Sequence, residues 1–267
     1  MIRLLMWTSK LLRIVTVLPM VFGLAIDAAW AVPVEATLTV AVAANVRPAY
    51  EELKAEFTAT TGIATRDVIG SSGKIAAQVR AGAPYDVFLA ADTDYPLALY
   101  RDGLAATAPR VYAHGTLVVW TMQDLDVGRG LALLADGAIA RVAVPNPELA
   151  PYGREALRAL DRQGLRTLVE PKLVLAESVA QATQFIEAGA VAAGFTAKSM
   201  VLSPELAGKG RWFEVPEDLH QPIAQAAVVL RHGWDQNRAA AEGFLAFLFG
   251  DRARGILARY GYRLAAP

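Results

Sequence analysis

The sequence predicts an α/β protein of two lobes, each a doubly wound sheet with helices on both faces. Three observations predict it. Strand-like and helix-like runs alternate from residue 37 to the end of the chain. Several strand-like runs are apolar at every position, as strands covered on both faces are. Beyond residue 31 about 235 residues remain, and so many short βα units fit two lobes better than one barrel.

The first 31 residues stand apart. Arg3, Lys10 and Arg13 form a basic front, Ile14–Ile26 is mostly apolar, and Ala29-Trp30-Ala31 is an A-x-A cleavage pattern. This reads as a secretory signal peptide, since the apolar core is too short to span a bilayer comfortably. The protein is therefore expected in the periplasm, with no membrane insertion after cleavage.

Thr37–Ala43 then reads as a strand, and Ala49–Thr60 as a helix with Tyr50, Leu53 and Phe57 at helical spacing after Pro48 in its first turn. Arg66–Ile69 is a strand, Ile75–Ala81 a helix, Asp86–Ala90 a buried-type strand and Tyr95–Arg101 a helix stopped near Gly103. Thr116–Thr121 and Arg141–Val144 are strands, followed by a loop with Pro145, Pro147 and Pro151 and a helix over Glu155–Gln163. Lys172–Leu175 is a strand and Val179–Ala188 a helix; Val191–Phe195, Trp212–Val215 and Ile223–Leu230 are strands. Two helices, Ala239–Phe249 and Arg252–Tyr260, close the chain. Repeated βα units of this kind imply parallel sheets.

Lys plus Arg and Asp plus Glu both number 26. A balanced charge argues against nucleic acid as a partner. Losing three basic residues and one acidic residue with the leader leaves a mature charge of about −2. There is no cysteine, which removes disulfides, thiolate metal sites and the acylated cysteine of a lipid anchor.

The segment Gly70-Ser71-Ser72-Gly73-Lys74 suggests a phosphate cradle. A P-loop, G-x-x-x-x-G-K-[ST], would need glycine where Val68 stands and a hydroxyl where Ile75 stands. What remains is a helix start, whose unpaired N–H groups and partial positive charge attract anions. An ordinary serine cap explains the same residues. Three further starts look alike: Asn45 after the first strand, Pro151-Tyr152-Gly153 after the proline-rich loop, and Glu177-Ser178-Val179. Helix starts beyond strand ends are where ligands of α/β sheets bind, so these four can converge on one anion if the lobes face each other.

Several stretches carry a resemblance: VAVAANVRPAYEEL (40–53), GSSGKIAAQVRAGAPYDVFLAAD (70–92), NPELAPYGREAL (146–157), AESVAQA (176–182), AAGFTAKS (192–199) and RYGYRL (259–264). They span nearly the whole mature chain in order. The chain resembles the molybdate-binding proteins of ABC transporters, within the type II periplasmic binding protein fold. The resemblance implies two lobes joined by two crossover strands, with lobe one over residues 32–114 plus 222–267 and lobe two over 115–221. It implies oxyanion contacts from Ala44 through its N–H, Asn45, Ser72, and Tyr152 and Val179 through their N–H groups. Molybdenum enters only as the oxyanion; no cofactor is implied. Some family members add a tyrosine hydroxyl where this chain has Ala197, which leaves the pocket one donor short unless the Asn45 amide compensates. Molybdate or tungstate is the implied ligand, a membrane permease of an ABC transporter the implied partner, and a monomer the expected state.

The rival from another class is a secreted α/β enzyme. The three histidines lack metal-ligand spacing and the serines lack a G-x-S-x-G elbow, so no catalysis is expected. Sulfate, phosphate and ferric iron are rivals within the fold. Iron calls for clustered tyrosines or carboxylates, and protonated phosphate calls for an acceptor carboxylate. Sulfate differs from molybdate mainly in size, and tungstate hardly differs at all.

Overall fold

The computed structural model describes residues 37–264, so the expected leader lies outside the described residues. In chain order the elements are β1 (Leu38–Ala43), α1 (Arg47–Thr61), β2 (Thr65–Gly70), α2 (Ser72–Arg80), β3 (Val87–Leu89), α3 (Asp94–Arg101) and β4 (Arg110–Gly115). Then come β5 (Leu117–Thr121), β6 (Val142–Pro145), α4 (Pro151–Arg162), α5 (Arg166–Val169), β7 (Leu173–Ala176), α6 (Val179–Glu187), β8 (Ala193–Ala197), α7 (Lys198–Val201) and β9 (Arg211–Glu214). The chain closes with β10 (Ile223–Val229), α8 (Arg231–Gln236), α9 (Arg238–Leu248), α10 (Asp251–Arg259) and β11 (Arg263–Leu264).

These strands form two sheets, ordered β11-β4-β10-β3-β1-β2 and β7-β6-β8-β5-β9. Each sheet with its helices is a lobe of a two-lobed α/β fold. The sheets are mixed, which corrects the expectation of parallel ones. β1 runs parallel to β2 and β3, and β6 parallel to β7 and β8. β10 runs antiparallel to β3 and β4, and β5 antiparallel to β8 and β9. The antiparallel strands are those next to the crossings. β4 and β5 are separated only by Thr116, so their direction is set by passage from one sheet to the other rather than by a βα unit.

The core follows the pattern of the sequence. All six residues of β1 are buried between β2 and β3. α1 buries Ala49, Tyr50, Leu53 and Phe57, and Phe57 meets Phe244 of α9 edge to face at 5.0 Å. Burying one such side chain stabilises the fold by about 1.5–3 kcal/mol. α1 ends at Gly62, whose φ of 72° suits the left-handed cap that glycine adopts without strain.

Candidate anion site between the lobes

The lobes are drawn together. The Gly73 N–H donates to the Leu149 carbonyl at 2.9 Å, and the Tyr95 hydroxyl to the Glu148 carbonyl at 2.7 Å. Lys74 pairs with Glu177, and Arg154 with Asp92. A Cβ on Gly73 would lie 3.0 Å from the Leu149 Cα and 2.6 Å from the Tyr95 hydroxyl. A side chain at this position would have to push Tyr95 aside and hold Leu149 slightly off, so glycine suits this approach.

Beneath these contacts Ala44, Asn45, Ser71, Ser72, Tyr152 and Val179 line one small space with a cavity volume of about 10 Å³. All six are buried. That volume is far below the roughly 300–1,000 Å³ of pockets for organic ligands. Thus the structure gathers the five residues expected from sequence at one place, and each start has a local reason.

At the second start, Ser72 Oγ accepts the Ala91 N–H at 2.9 Å, which leaves its own proton to donate. Its N–H stands in the first turn of α2, where a helix supplies no acceptor. At the third start Pro151 opens α4 with no N–H, so Tyr152 offers the first donor. Gly153 beside it is required: a Cβ there would sit 1.9 Å from the Pro145 carbonyl oxygen. At the fourth start Ser178 caps α6 by accepting the Gln181 N–H, and Gln181 reaches back to the Glu177 N–H. That resembles a capping box and leaves the Val179 N–H of the first turn uncommitted.

The first start needs two corrections. Ala44 lines the space, but its N–H donates to the Gly70 carbonyl at 2.8 Å. β1 continues to pair with β2 one residue beyond its end, and that pairing takes the donor expected for the anion. The Asn45 N–H is the next in the chain, and no carbonyl accepts it among the described residues. The Asn45 amide does not replace a missing tyrosine either. Its Nδ2 donates to Gln225 Oε1 at 2.9 Å and to the Tyr262 hydroxyl at 3.1 Å. Ala197 is buried in β8 and brings no hydroxyl.

Ser71 is the residue that sequence reasoning took only for a cap. It makes no side-chain cap bond to α2. Its Oγ is buried without a partner, and a buried hydroxyl without a partner is costly. The signal lay in the doubled serine of Gly70-Ser71-Ser72-Gly73, where one cap needs only one of the two.

The electrostatics suit an anion. No carboxylate lines the space, and Glu177 nearby is tied to Lys74. Burial lifts the Tyr152 phenol well above its ordinary value, so it stays uncharged. A wider cleft alongside is lined by Asp92, Asp94 and Glu155 together with Arg154 and Arg158. Three carboxylates make it a poor place for a dianion.

Two lobes closed over a buried donor cluster define a solute-binding protein, and residues 38–263 match the family model of bacterial extracellular solute-binding proteins, so the chain belongs to that family. More particularly, it is 37% identical over 249 residues to the molybdate-binding protein ModA of Rhodobacter capsulatus, covering 92% of this chain and 94% of that one. It is 36% identical over 230 residues to ModA of Azotobacter vinelandii. The structure of the Azotobacter vinelandii periplasmic molybdate-binding protein superposes with a TM-score of 0.80 at 32% identity, covering 86% of this chain and 100% of that one. The sulfate-binding protein SubI of Mycobacterium tuberculosis shares the fold at a TM-score of 0.70 and 20% identity.

Proposed function

We propose that this protein captures molybdate, and tungstate equally, in the periplasm and delivers it to the membrane permease of an ABC importer. One observation carries the reading: Asn45 of the turn before α1, Ser71 and Ser72 at the start of α2, and Tyr152 and Val179 in the first turns of α4 and α6 come from both lobes to line one small space, and among the described residues no carboxylate lines it. Molybdate is a dianion with four acceptor oxygens and no proton, so a site made of donors matches it. The donors are the N–H groups of Asn45, Ser72, Tyr152 and Val179 with the hydroxyls of Ser71 and Ser72. Hydrogen bonds to a charged group contribute about 1.5–3 kcal/mol each. Six of them sum to about 9–18 kcal/mol, a range that spans the roughly 11 kcal/mol of a 10 nM dissociation constant, and in its upper half leaves a surplus to offset desolvation and lobe closure. The kinship to proteins named for molybdate supports this choice among oxyanions. The protein acts as a monomer that carries and releases, without catalysis and without a lipid anchor.

Calorimetric titration of the mature protein with molybdate, tungstate, sulfate and phosphate tests the reading. The first two are expected to bind tightly and to raise the melting temperature by mass action on the folded state. Binding of phosphate or sulfate alone would overturn it.

A further inference from the structure

Ile223–Val229, β10, is apolar on both faces except for one residue, Gln225, which is fully buried. The pairing of β10 with β4 shifts register between Gln225 and Ala226. Such a bulge bends a strand and re-aims a side chain, and bulges concentrate near functional sites. Here the amide is aimed at the donor cluster. Its Oε1 accepts from Asn45 Nδ2 at 2.9 Å and from the Tyr112 hydroxyl at 3.1 Å, and its Nε2 donates to the Tyr152 hydroxyl at 3.2 Å.

The other crossing makes room for this arrangement. Gly115, at the end of β4, has no positive φ to explain it. A Cβ there would lie 1.9 Å from the Tyr152 hydroxyl and 2.5 Å from Gln225 Nε2. Both passages between the lobes therefore meet at one amide. The cluster extends to Tyr262 and Ser199, whose hydroxyls donate to the Asn45 carbonyl at 2.8 and 2.7 Å. Burial pushes the Tyr262 phenol up to about 12 and lifts the Tyr112 phenol well above its ordinary value, so the whole cluster is neutral and adds no charge beside a dianion.

We infer that Gln225 is the positioning residue that joins the anion contacts of the two lobes: it holds Asn45 of the first and Tyr152 of the second in one hydrogen-bonded unit. The inference rests on the oxyanion reading and assigns its coupling element. In this closed arrangement the Gln225–Tyr152 bond crosses between the lobes. On the inference, closure tightens this bond and brings the Tyr152 N–H to the anion in the same movement. Gln225 does not touch the anion; it decides where two of the donors stand.

A double-mutant cycle on molybdate affinity tests this, with Gln225→Leu, Tyr152→Phe and the pair, each first checked for folding by circular dichroism. Tyr152→Phe keeps the ring and the backbone N–H and removes only the hydroxyl. Each single variant is expected to bind about tenfold more weakly, since each leaves a buried polar partner unsatisfied. The double variant is expected within about twofold of the weaker single, because both break the same bond. A role in fold stability alone would lower the melting temperature of the ligand-free protein and leave the dissociation constant in place. Singles within twofold of wild type, or a double whose loss is the product of the two, would overturn the inference while the oxyanion reading stands. Failure of the wild type to take up molybdate would overturn both. If Gln225→Leu does not fold, Tyr152→Phe decides alone: affinity within twofold of wild type overturns the inference.

Discussion

The two lobes touch at two levels, and the levels are built from opposite chemistry. The floor is Asn45, Ser71, Ser72, Tyr152 and Val179 together with Gln225, Tyr262 and Ser199, all buried and all uncharged. The rim is Lys74 with Glu177, a pair open to solvent, and Arg154 with Asp92, in which the arginine is half-buried and the carboxylate buried. The difference teaches where each kind of contact is worth having. A dianion in a dry space needs donors and is repelled by carboxylates, so charge is kept off the floor. At the rim water screens the Lys74–Glu177 pair, and exposed pairs contribute only about 0–1 kcal/mol each. On the proposed reading the floor sets affinity and the rim trims the closed geometry.

The strongest way to break that contrast is to remove floor donors from the second lobe. The double variant Tyr152→Pro, Val179→Pro deletes two N–H groups. It is expected to lose about 3–6 kcal/mol of binding and to show no molybdate-dependent fall in radius of gyration by solution scattering, once circular dichroism confirms its fold. Compaction persisting in a folded double variant would mean that the second lobe does not hold the anion. Next is Ser72→Ala, which removes one hydroxyl and frees the Ala91 N–H; a loss of about 1.5–3 kcal/mol in calorimetric affinity is expected, with Ser71→Ala at the lower end of that range.

The rim gives smaller effects. Arg154→Ala is expected to weaken molybdate binding by about 1 kcal/mol, because Asp92 is then buried without its partner. Burial raises the Asp92 carboxyl above its ordinary 3.8, with Arg154 pulling it back down. The sign follows. A raised carboxyl favours the folded form most when protonated, so this contribution is fully present below the ordinary value and fades as pH rises through the raised one. Without Arg154 the fade should move to higher pH, which melting of the molybdate-bound variant across the acid range will show. The smallest effect is expected from Lys74→Ala, less than tenfold in affinity and shrinking further with added salt. A larger loss from Lys74→Ala than from Ser72→Ala would reverse the contrast between floor and rim.

Much of this was legible in the sequence because it is local. The apolar run of β1, the helical spacing of Tyr50, Leu53 and Phe57, and Pro151 at a helix start each depend on neighbours a few residues away. The four helix starts were legible for the same reason. What was not legible depends on residues far apart in the chain. β4 was passed over because Arg110–Gly115 alternates weakly, and its partners β10 and β11 lie more than a hundred residues on. The fate of the Ala44 N–H depends on where pairing with β2 stops. The Asn45 amide looked available because Gln225 and Tyr262 are 180 and 217 residues away. A lone glutamine inside I-A-Q-A-A-V-V-L was the visible trace of that cluster, since a buried amide needs partners.

Gly73 carries a consequence for genetics. A Cβ there would meet the tip of Tyr95 in its own lobe, which can swing aside, and the Leu149 Cα of the other lobe, which can give only if the lobes part slightly. A Gly73→Ala allele is therefore expected to keep its fold and abundance and to lose part of its closure, so a growth test on scarce substrate would score it as a binding-pocket lesion although the side chain stands outside the pocket.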